Sequence, residues 1–420
     1  MNILDILEKR GLLEQTTSPD LKKILQNPTK FYIGFDPTAD ALHLGNLVGI
    51  IVLRWFQKCG HIPFALIGGA TARIGDPSGK SSERPLLQDE DIKRNVRKIS
   101  EFFRNLLREH PPSILNNDDW FQEMTVIDFL RKIGKHFRLG PMLSKESVKS
   151  RVNSNEGMSF TEFTYQVLQG YDFYYLYNQQ NVILQVGGSD QWGNITAGID
   201  LAKKLDQKTL YGVTFPLLVQ SDGKKFGKSE KGAIWLSEHK LSAFDFYQYL
   251  YRVSDADVIR LMKVLTFMEL DEIDSIEKKM KLPDYIPNSA QKRLASEVTR
   301  FIHGEENLLT AQKITEKMYS QKSSEPLTKE VLEQIAKDLP PVVFNLDNIV
   351  SKKYTELAVE TGLCSSKSEA VRLIKSGGAY LNNKRINEID FKISEEDLVD
   401  GAFLLLGSGK KKKLLLEVKP

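Results

Sequence analysis

Three groups of residues in this sequence have types and spacings suited to chemistry. Tyr165, Gln169 and Asp172 stand at i, i+4 and i+7, so on a helix they share one face. A phenol, an amide and a carboxylate on one stripe form either a solvated face or a partly buried polar wall. Phe163, Val167, Leu168, Phe173 and Leu176 surround them and favour the wall, which then needs a polar partner. The second group is Lys225-Phe-Gly-Lys-Ser229, inside a glycine-bearing stretch that opens at Asp222. Two ammonium groups three residues apart can clamp a triphosphate, although a lysine-rich surface turn has the same composition. The third is His43, which follows Asp36-Pro37-Thr38 and precedes Gly45. At the start of a helix it would stand beside free N–H groups and a positive dipole end, where an anion can bind.

The elements that must position these groups alternate between strand and helix. Phe31–Phe35 is a short apolar run of β-formers and reads as a buried strand. Pro37 turns the chain, and Leu44, Leu47, Ile50, Ile51 and Leu53 then recur near helical period. Ile62–Ile67 is a second strand, ended by Gly68-Gly69. Val126–Leu130 is a further strand candidate, and Ser144–Val152 reads as a basic helix. Ser159-Phe-Thr-Glu162 is a capping box opening a helix to about Tyr177. Val182–Val186 is a strand, Asn194 to about Leu205 a helix, and Val213–Val219 a last strand. This alternation predicts a doubly wound parallel sheet, with ligands at the carboxyl ends of its strands. From about Ser242 to Ser320 only amphipathic helices follow, broken at Pro283 and Pro287. Gln321–Pro326 and Leu339–Pro341 read as linker. The remainder from about Lys352 has two short helices, then strands.

Composition sets bounds on this. The chain has 420 residues, 41% hydrophobic and 27% charged, with net charge +3, which is ordinary for a globular protein of two or three domains. That balance is compatible with a polyanionic partner without demanding one. Two distant cysteines and six scattered histidines give no disulfide framework and no metal-ligand spacing. The first ten residues carry acids and read as a helix, not a targeting peptide, and no apolar run is long enough to span a membrane. Gly75-Asp-Pro-Ser-Gly-Lys-Ser81 is not a P-loop: three residues separate Gly75 from Gly79-Lys80 where four are needed. No G-x-G-x-x-G fits a dinucleotide site either.

His43-Leu-Gly-Asn46 after the first strand resembles the HIGH signature of class I aminoacyl-tRNA synthetases. Lys225-Phe-Gly-Lys-Ser229 after the last resembles their KMSKS signature. With Tyr32–Asp40, Gly68-Gly-Ala-Thr71, Gly75–Gly79, Phe160–Phe163, Gln169–Phe173 and Gly187–Asn194, the chain resembles tyrosyl-tRNA synthetases of bacterial or organellar type over essentially its whole length. One departure is Asn46, where the signature's histidine form ends in His.

The resemblance implies a Rossmann-like α/β catalytic domain at 1–235, an α-helical anticodon-recognition domain at 236–320, a linker at 321–350 and a small α+β S4-like RNA-binding domain at 351–420. It implies that Tyr32 and Asp172 bind the phenol hydroxyl of tyrosine, that Asp76, Tyr165 and Gln169 hold its ammonium, and that Gln191 lies near its carboxylate. Thr38, His43, Lys80, Arg84, Lys225 and Lys228 would stabilise the phosphates. Asp36, Gly45, Asn46, Gly188, Asp190 and Ser229 complete an ATP site. Lys145, Lys149, Lys367, Arg372 and Lys375 are candidate tRNA contacts. Implied as well are Mg2+ carried by ATP with no protein-held metal, a homodimer, tRNA(Tyr) as partner and a cytoplasmic location. A tryptophanyl-tRNA synthetase, a small-molecule nucleotidyl transferase and a non-catalytic RNA-binding relative are the rival readings. Of these, the first gives no reason for the Tyr32 and Asp172 pair.

Overall fold

Phe31, Tyr32 and Ile33 are fully or almost fully buried, as an apolar strand in the middle of a sheet requires. The computed structural model describes residues 2–80, 82–83, 87–153, 157–221, 223, 226–229, 232–319, 327–338, 341–409 and 412–419. They divide into two compact units, Met1–Leu241 with Leu250–Ile302, and Ser242–Tyr249 with His303–Pro420.

The main sheet of the first unit has six strands among the described residues: β1 (Gln15–Thr16), β2 (Lys30–Phe35), β3 (Ile62–Ile67), β4 (Ser113–Asn116), β5 (Leu184–Gly188) and β6 (Tyr211–Phe215). Their order is β1-β6-β5-β2-β3-β4, parallel throughout except for β1, which pairs antiparallel with β6 at the edge. The order reverses between β5 and β2, and that crevice is where an open parallel sheet binds ligands. Helix Leu44–Lys58 follows β2 and buries Leu44, Leu47, Ile50, Ile51 and Leu53, the residues whose period marks it. Each such side chain is worth about 1.5–3 kcal/mol of burial. On the sheet, Phe64, Leu66, Trp120, Phe173 and Leu176 pack around Tyr32.

Helix Phe160–Gln180 opens at Ser159, whose hydroxyl accepts from the Glu162 N–H at 3.1 Å. The reciprocal half expected of the capping box goes elsewhere. Glu162 takes two hydrogen bonds, at 2.7 and 2.9 Å, from a buried Arg151. This ties helix Glu146–Val152 to the start of the next helix. Arg10, at the end of helix Ile3–Arg10, is likewise buried. It donates to the carbonyls of Lys263 and Thr266 at 3.1 Å each and to that of Met268, and its guanidinium lies 4.3 Å from the Trp55 ring. These carbonyls lie at and just beyond the end of helix Asp255–Leu265, where a cation is favourable.

Several expectations are corrected. Val126–Leu130 is not a strand. Thr125 caps a helical turn there, and Val126, Ile127 and Leu130 are 72%, 63% and 49% exposed, so the apolar run is surface. The strand that fills the sheet edge is β4, after Pro111-Pro112. The expected last strand, Val213–Val219, is β6 at Tyr211–Phe215. The helical stretch 236–320 contributes to both units.

The second unit contains five strands: β9 (Val342–Asn345), β10 (Ala379–Leu381), β11 (Lys384–Arg385), β12 (Phe403–Ser408) and β13 (Lys412–Lys419), in the order β11-β10-β12-β13-β9. Helices Tyr354–Glu360 and Lys367–Lys375 pack with them on a core that includes Tyr354, Leu357, Ile374, Leu404 and Leu416. The stretch expected as linker, 321–350, carries helix Lys329–Asp338 and β9, which pairs parallel with β13. Of its linker-like pieces, 321–326 lies outside the described residues, and of 339–341 only Pro341 is described. A two-stranded hairpin, β7 (Lys228–Ser229) with β8 (Gly232–Ala233), belongs to the first unit.

Candidate active site

The two central strands deliver the pocket's deepest residues. Tyr32 of β2 and Gln185 of β5 are partners in register, so their side chains leave the same face of the sheet. Helix Phe160–Gln180 crosses that face and brings Asp172 beside them. Asp172 is buried, and both its oxygens are engaged: Trp120 Nε1 donates to Oδ1 at 2.9 Å and Asn117 Nδ2 to Oδ2 at 3.1 Å. Burial pushes the Asp172 carboxyl up to about 8, against the pull of the hydrogen bonds from Asn117 and Trp120. The Tyr32 hydroxyl is fully enclosed and has no hydrogen-bond partner among the described residues; burial, then the neighbouring Asp172 charge, raise its pKa well above the usual phenol range. Gln185 Oε1 is another enclosed atom without a partner among the described residues. An orphaned hydroxyl beside a carboxylate is costly unless a ligand group completes it.

Next to this floor lies a polar cluster. Asp36 accepts from Thr71 Oγ1 at 2.8 Å and from Tyr165 Oη at 2.7 Å. Gly68 is there because a Cβ would sit 2.0 Å from Asp36 Oδ1. Asp76 accepts from Gln191 Nε2 at 2.6 Å and from the Ser78 N–H at 2.9 Å. Asn194 Nδ2 donates to Gln169 Oε1 at 3.0 Å. Asp76, Gln169 and Gln191 are therefore brought together, with Asn194 as the link. Burial, and then the charge of Asp76, raise the carboxyl of Asp190, one residue before Gln191. Gly188 is buried beside it.

Further along the chain beyond β2 the groups open outward. His43 caps helix Leu44–Lys58: its Nδ1 accepts from the Gly45 N–H at 3.1 Å, while Asn46 Oδ1 accepts from the His43 N–H at 3.0 Å. A Cβ on Gly45 would lie 2.9 Å from the imidazole. With Nδ1 accepting, the neutral ring carries its proton on Nε2, the form that donates to a phosphate oxygen. Thr38 and Lys80 are exposed. Ile234 N–H donates to the Gly227 carbonyl and Leu44 N–H to that of Ile234, so the β7–β8 hairpin sits against the same helix start. Lys228 and Ser229 have their backbone in β7. Arg84 and Lys225 lie outside the described residues.

The candidate tRNA contacts separate. The Lys145 ammonium donates to the Gly193 carbonyl, and burial lowers its pKa to about 8, with the Asp200 charge opposing. Lys149, one turn on, is exposed. Lys367 is exposed and pairs with Glu356 at 2.8 Å, and Arg372 and Lys375 are exposed on the same helix. Asn117 and Trp120 were not anticipated, and Thr71 and Asn194, though part of the motifs, had no role assigned. Asn117 and Trp120 reach Asp172 across tens of residues and belong to no spacing pattern.

The family "tRNA synthetases class I (W and Y)" matches residues 23–320, and the "Tyrosine--tRNA ligase SYY-like C-terminal domain" matches residues 331–416. A tyrosine–tRNA ligase of Protochlamydia amoebophila is 53% identical over 99% of both chains. A chloroplastic/mitochondrial one of Arabidopsis thaliana is 50% identical over 99% of this chain and 84% of its own. A C-terminally truncated mitochondrial tyrosyl-tRNA synthetase of Coccidioides posadasii superposes with TM-score 0.65 at 34% identity, covering 74% of this chain and 91% of that one. A tryptophanyl-tRNA synthetase of Plasmodium falciparum, at 13% identity and TM-score 0.54, covers 78% of this chain and 87% of its own and shares the fold alone. The chain belongs to the class I tRNA synthetases, in the branch of the tyrosine–tRNA ligases.

Proposed function

We propose that the floor formed by Tyr32 and Asp172 receives the phenol hydroxyl of L-tyrosine. The observation that carries this reading is the enclosed, unpartnered Tyr32 hydroxyl beside a carboxylate whose two oxygens are already oriented by Asn117 and Trp120. The ligase activates tyrosine with ATP to tyrosyl-adenylate and transfers it to the 3′-terminal ribose of tRNA(Tyr). The tyrosine carboxylate is itself the nucleophile, so the protein needs to align it with the α-phosphate and to stabilise departing pyrophosphate. Asp76, Gln169 and Tyr165 hold the ammonium and Gln191 approaches the carboxylate. Thr38 and His43 donate to the phosphates, Gly188 and Asp190 meet the ribose, and Asn46 offers its amide nitrogen nearby. Lys80, Arg84, Lys225 and Lys228 neutralise charge as it moves to pyrophosphate, which leaves with the Mg2+ that ATP brought. Asp36 acts indirectly, by fixing Tyr165 and Thr71.

The four-part division at 235, 320 and 350 becomes a proposal of function more than of compact units: catalysis first, then tRNA recognition by the helical stretch and by the C-terminal sheet domain. Lys149, Lys367, Arg372 and Lys375 are exposed cations able to meet phosphates, whereas Lys145 is spent on Gly193. A second copy of the chain is the proposed occupant of the apolar surface around a cavity of ≈ 270 Å³ lined in part by Leu139, Leu143 and Phe160; Val126 and Ile127 are further exposed apolar side chains. The cytoplasm is the proposed compartment.

Amino-acid-dependent ATP–pyrophosphate exchange tests the reading: tyrosine alone of the twenty amino acids supports exchange, and exchange with tryptophan instead would reject the pocket. A chain ending near Gln321 keeps exchange and loses tRNA charging; normal charging at low tRNA removes the C-terminal domain from the proposal. Sedimentation of a Leu139→Glu, Phe160→Glu double variant as a monomer, against a dimeric parent, checks the second copy.

A further inference from the structure

The segment entering the Lys225–Ser229 signature is held from an unexpected side. Asp257, in the first turn of helix Asp255–Leu265, is 5% exposed and accepts four hydrogen bonds. Its Oδ1 accepts from the Ser221 N–H at 3.0 Å and from Arg260 Nη2 at 3.1 Å. Its Oδ2 accepts from the Ser221 hydroxyl at 3.0 Å and from that of Ser254 at 2.8 Å. Arg260 also donates to the Val219 carbonyl. The backbone and side chain of Ser221, and the carbonyl two residues before it, are thus gripped by one turn of helix. The Phe226 N–H donates to the Leu218 carbonyl at 3.1 Å and closes the loop on itself. On the leaving side, the N–H groups of Leu44 and Leu236 donate to the carbonyls of Ile234 and Leu42, both at about 2.7–2.8 Å. The described part of the signature, Phe226–Ser229, therefore lies between a stem held at the start of helix Asp255–Leu265 and one held at the start of the His43 helix.

We infer that Asp257, with Arg260 and Ser221, is a positioning device for the signature lysines: it fixes where the loop begins and so where ammonium charge can meet the phosphates of ATP. The inference rests on the reading of Lys225 and Lys228 as phosphate contacts. A carboxylate suits the task. Its two oxygens can grip a backbone N–H, two hydroxyls and a guanidinium at once, which no neutral side chain can do. Burial opposes ionisation of Asp257, but bonds from Ser254, Arg260 and Ser221 hold its pKa below the usual carboxylate value, so it is charged at neutral pH. Ser254 N-terminal to the helix and Arg260 one turn into it make the grip a property of the helix itself. A helix from the stretch assigned to tRNA recognition thereby becomes part of the activation machinery.

The test is single-turnover formation of tyrosyl-adenylate with ATP and tyrosine varied separately, in the full chain. Asp257→Asn should lower the activation rate or raise KM for ATP by roughly tenfold or more, the cost of losing a charged, multiply bonded acceptor, while KM for tyrosine stays within about twofold. Ser221 is exposed, so Ser221→Ala tests the same grip without threatening the fold; it should show the same split at about threefold. On an Asp257→Asn background it should add almost nothing, because the two act through one contact. If Asp257→Asn fails to fold, Ser221→Ala and Arg260→Lys decide. Equal losses for tyrosine and ATP in these variants, or no loss in any of them while Lys228→Ala is slow, overturns the positioning role and leaves the signature reading standing. A normal rate in Lys228→Ala removes that reading and this inference with it.

Discussion

The two ends of the site differ in how much is settled before substrate arrives. At the tyrosine end, Asp172, Asn117 and Trp120 are buried, aimed and mutually bonded, with the Tyr32 hydroxyl left over. At the phosphate end, Thr38 and Lys80 are exposed, and the described chain on either side of the signature is held at Ser221 and at Ile234. The difference follows from what each end must do. Telling a phenol from a bare ring requires polar groups that are costly to leave unpaired, and only a closed, preorganised pocket imposes that cost. Stabilising pyrophosphate requires charge that counts only once the transition state forms, and a cationic lid can supply it late.

If the division is real, the largest effect belongs to the open end. Lys228→Ala should slow single-turnover activation by roughly 10²–10³, as loss of one transition-state donor does, and leave tyrosine affinity unchanged. A parallel loss of tyrosine affinity would mean that the two ends are not separate.

The closed end should fail in the opposite sense. Asp172→Asn removes a charge-assisted acceptor and should shrink the tyrosine-over-phenylalanine ratio of kcat/KM by about 10–100-fold, from roughly 1.5–3 kcal/mol. Tyr32→Phe, which deletes one neutral hydroxyl, should shrink it by about tenfold or less. An unchanged ratio in both variants would place the phenol elsewhere.

A pH dependence also belongs to the closed end, and within any one pH unit it is no larger than the effect of Tyr32→Phe. The carboxyl of Asp172 is raised from 3.8 to about 8 in the ligand-free protein. A folded-state value above the unfolded one stabilises fully in acid, and the benefit is lost as pH rises from about 4 through about 8. Thermal stability of the free protein should therefore carry a downward slope in that window, which Asp172→Asn removes. If the bound phenol donates to an ionised Asp172, tyrosine binding should tighten by at most about tenfold per pH unit toward pH 8. A flat binding profile in the parent would mean that Asp172 stays protonated and donates to the phenol instead.

How much of this is legible in the sequence depends on the range of the interaction. Strands β2 and β3 could be read because each is a short run of β-forming apolar residues, most of them buried. The stripe of Tyr165, Gln169 and Asp172 is a local property of one helix. The run at Val126–Leu130 misleads because apolar residues meant for a surface have the composition of a strand meant for a core. β4 is short, and two prolines precede it. Asn117 and Trp120 reach Asp172 across 55 and 52 residues. No periodicity reports such a pairing, which exists only once β4 is docked beside β3. Asn46 shows the reverse: its departure from the histidine form suggests a ligand contact, while its oxygen serves the cap on His43.

The grip of Arg10 on Lys263, Thr266 and Met268 has a consequence for the order of synthesis. The partners lie 253 to 258 residues downstream. At roughly 5–20 residues per second, the ribosome leaves that guanidinium without its carbonyls for tens of seconds. For all of that time the first helix is a nascent segment whose final seat has yet to be made. Completion of this part of the fold therefore waits on residue 268. A translational pause before that point would prolong the exposure of Trp55 and the first helix to chaperones and proteases, and one after it would not.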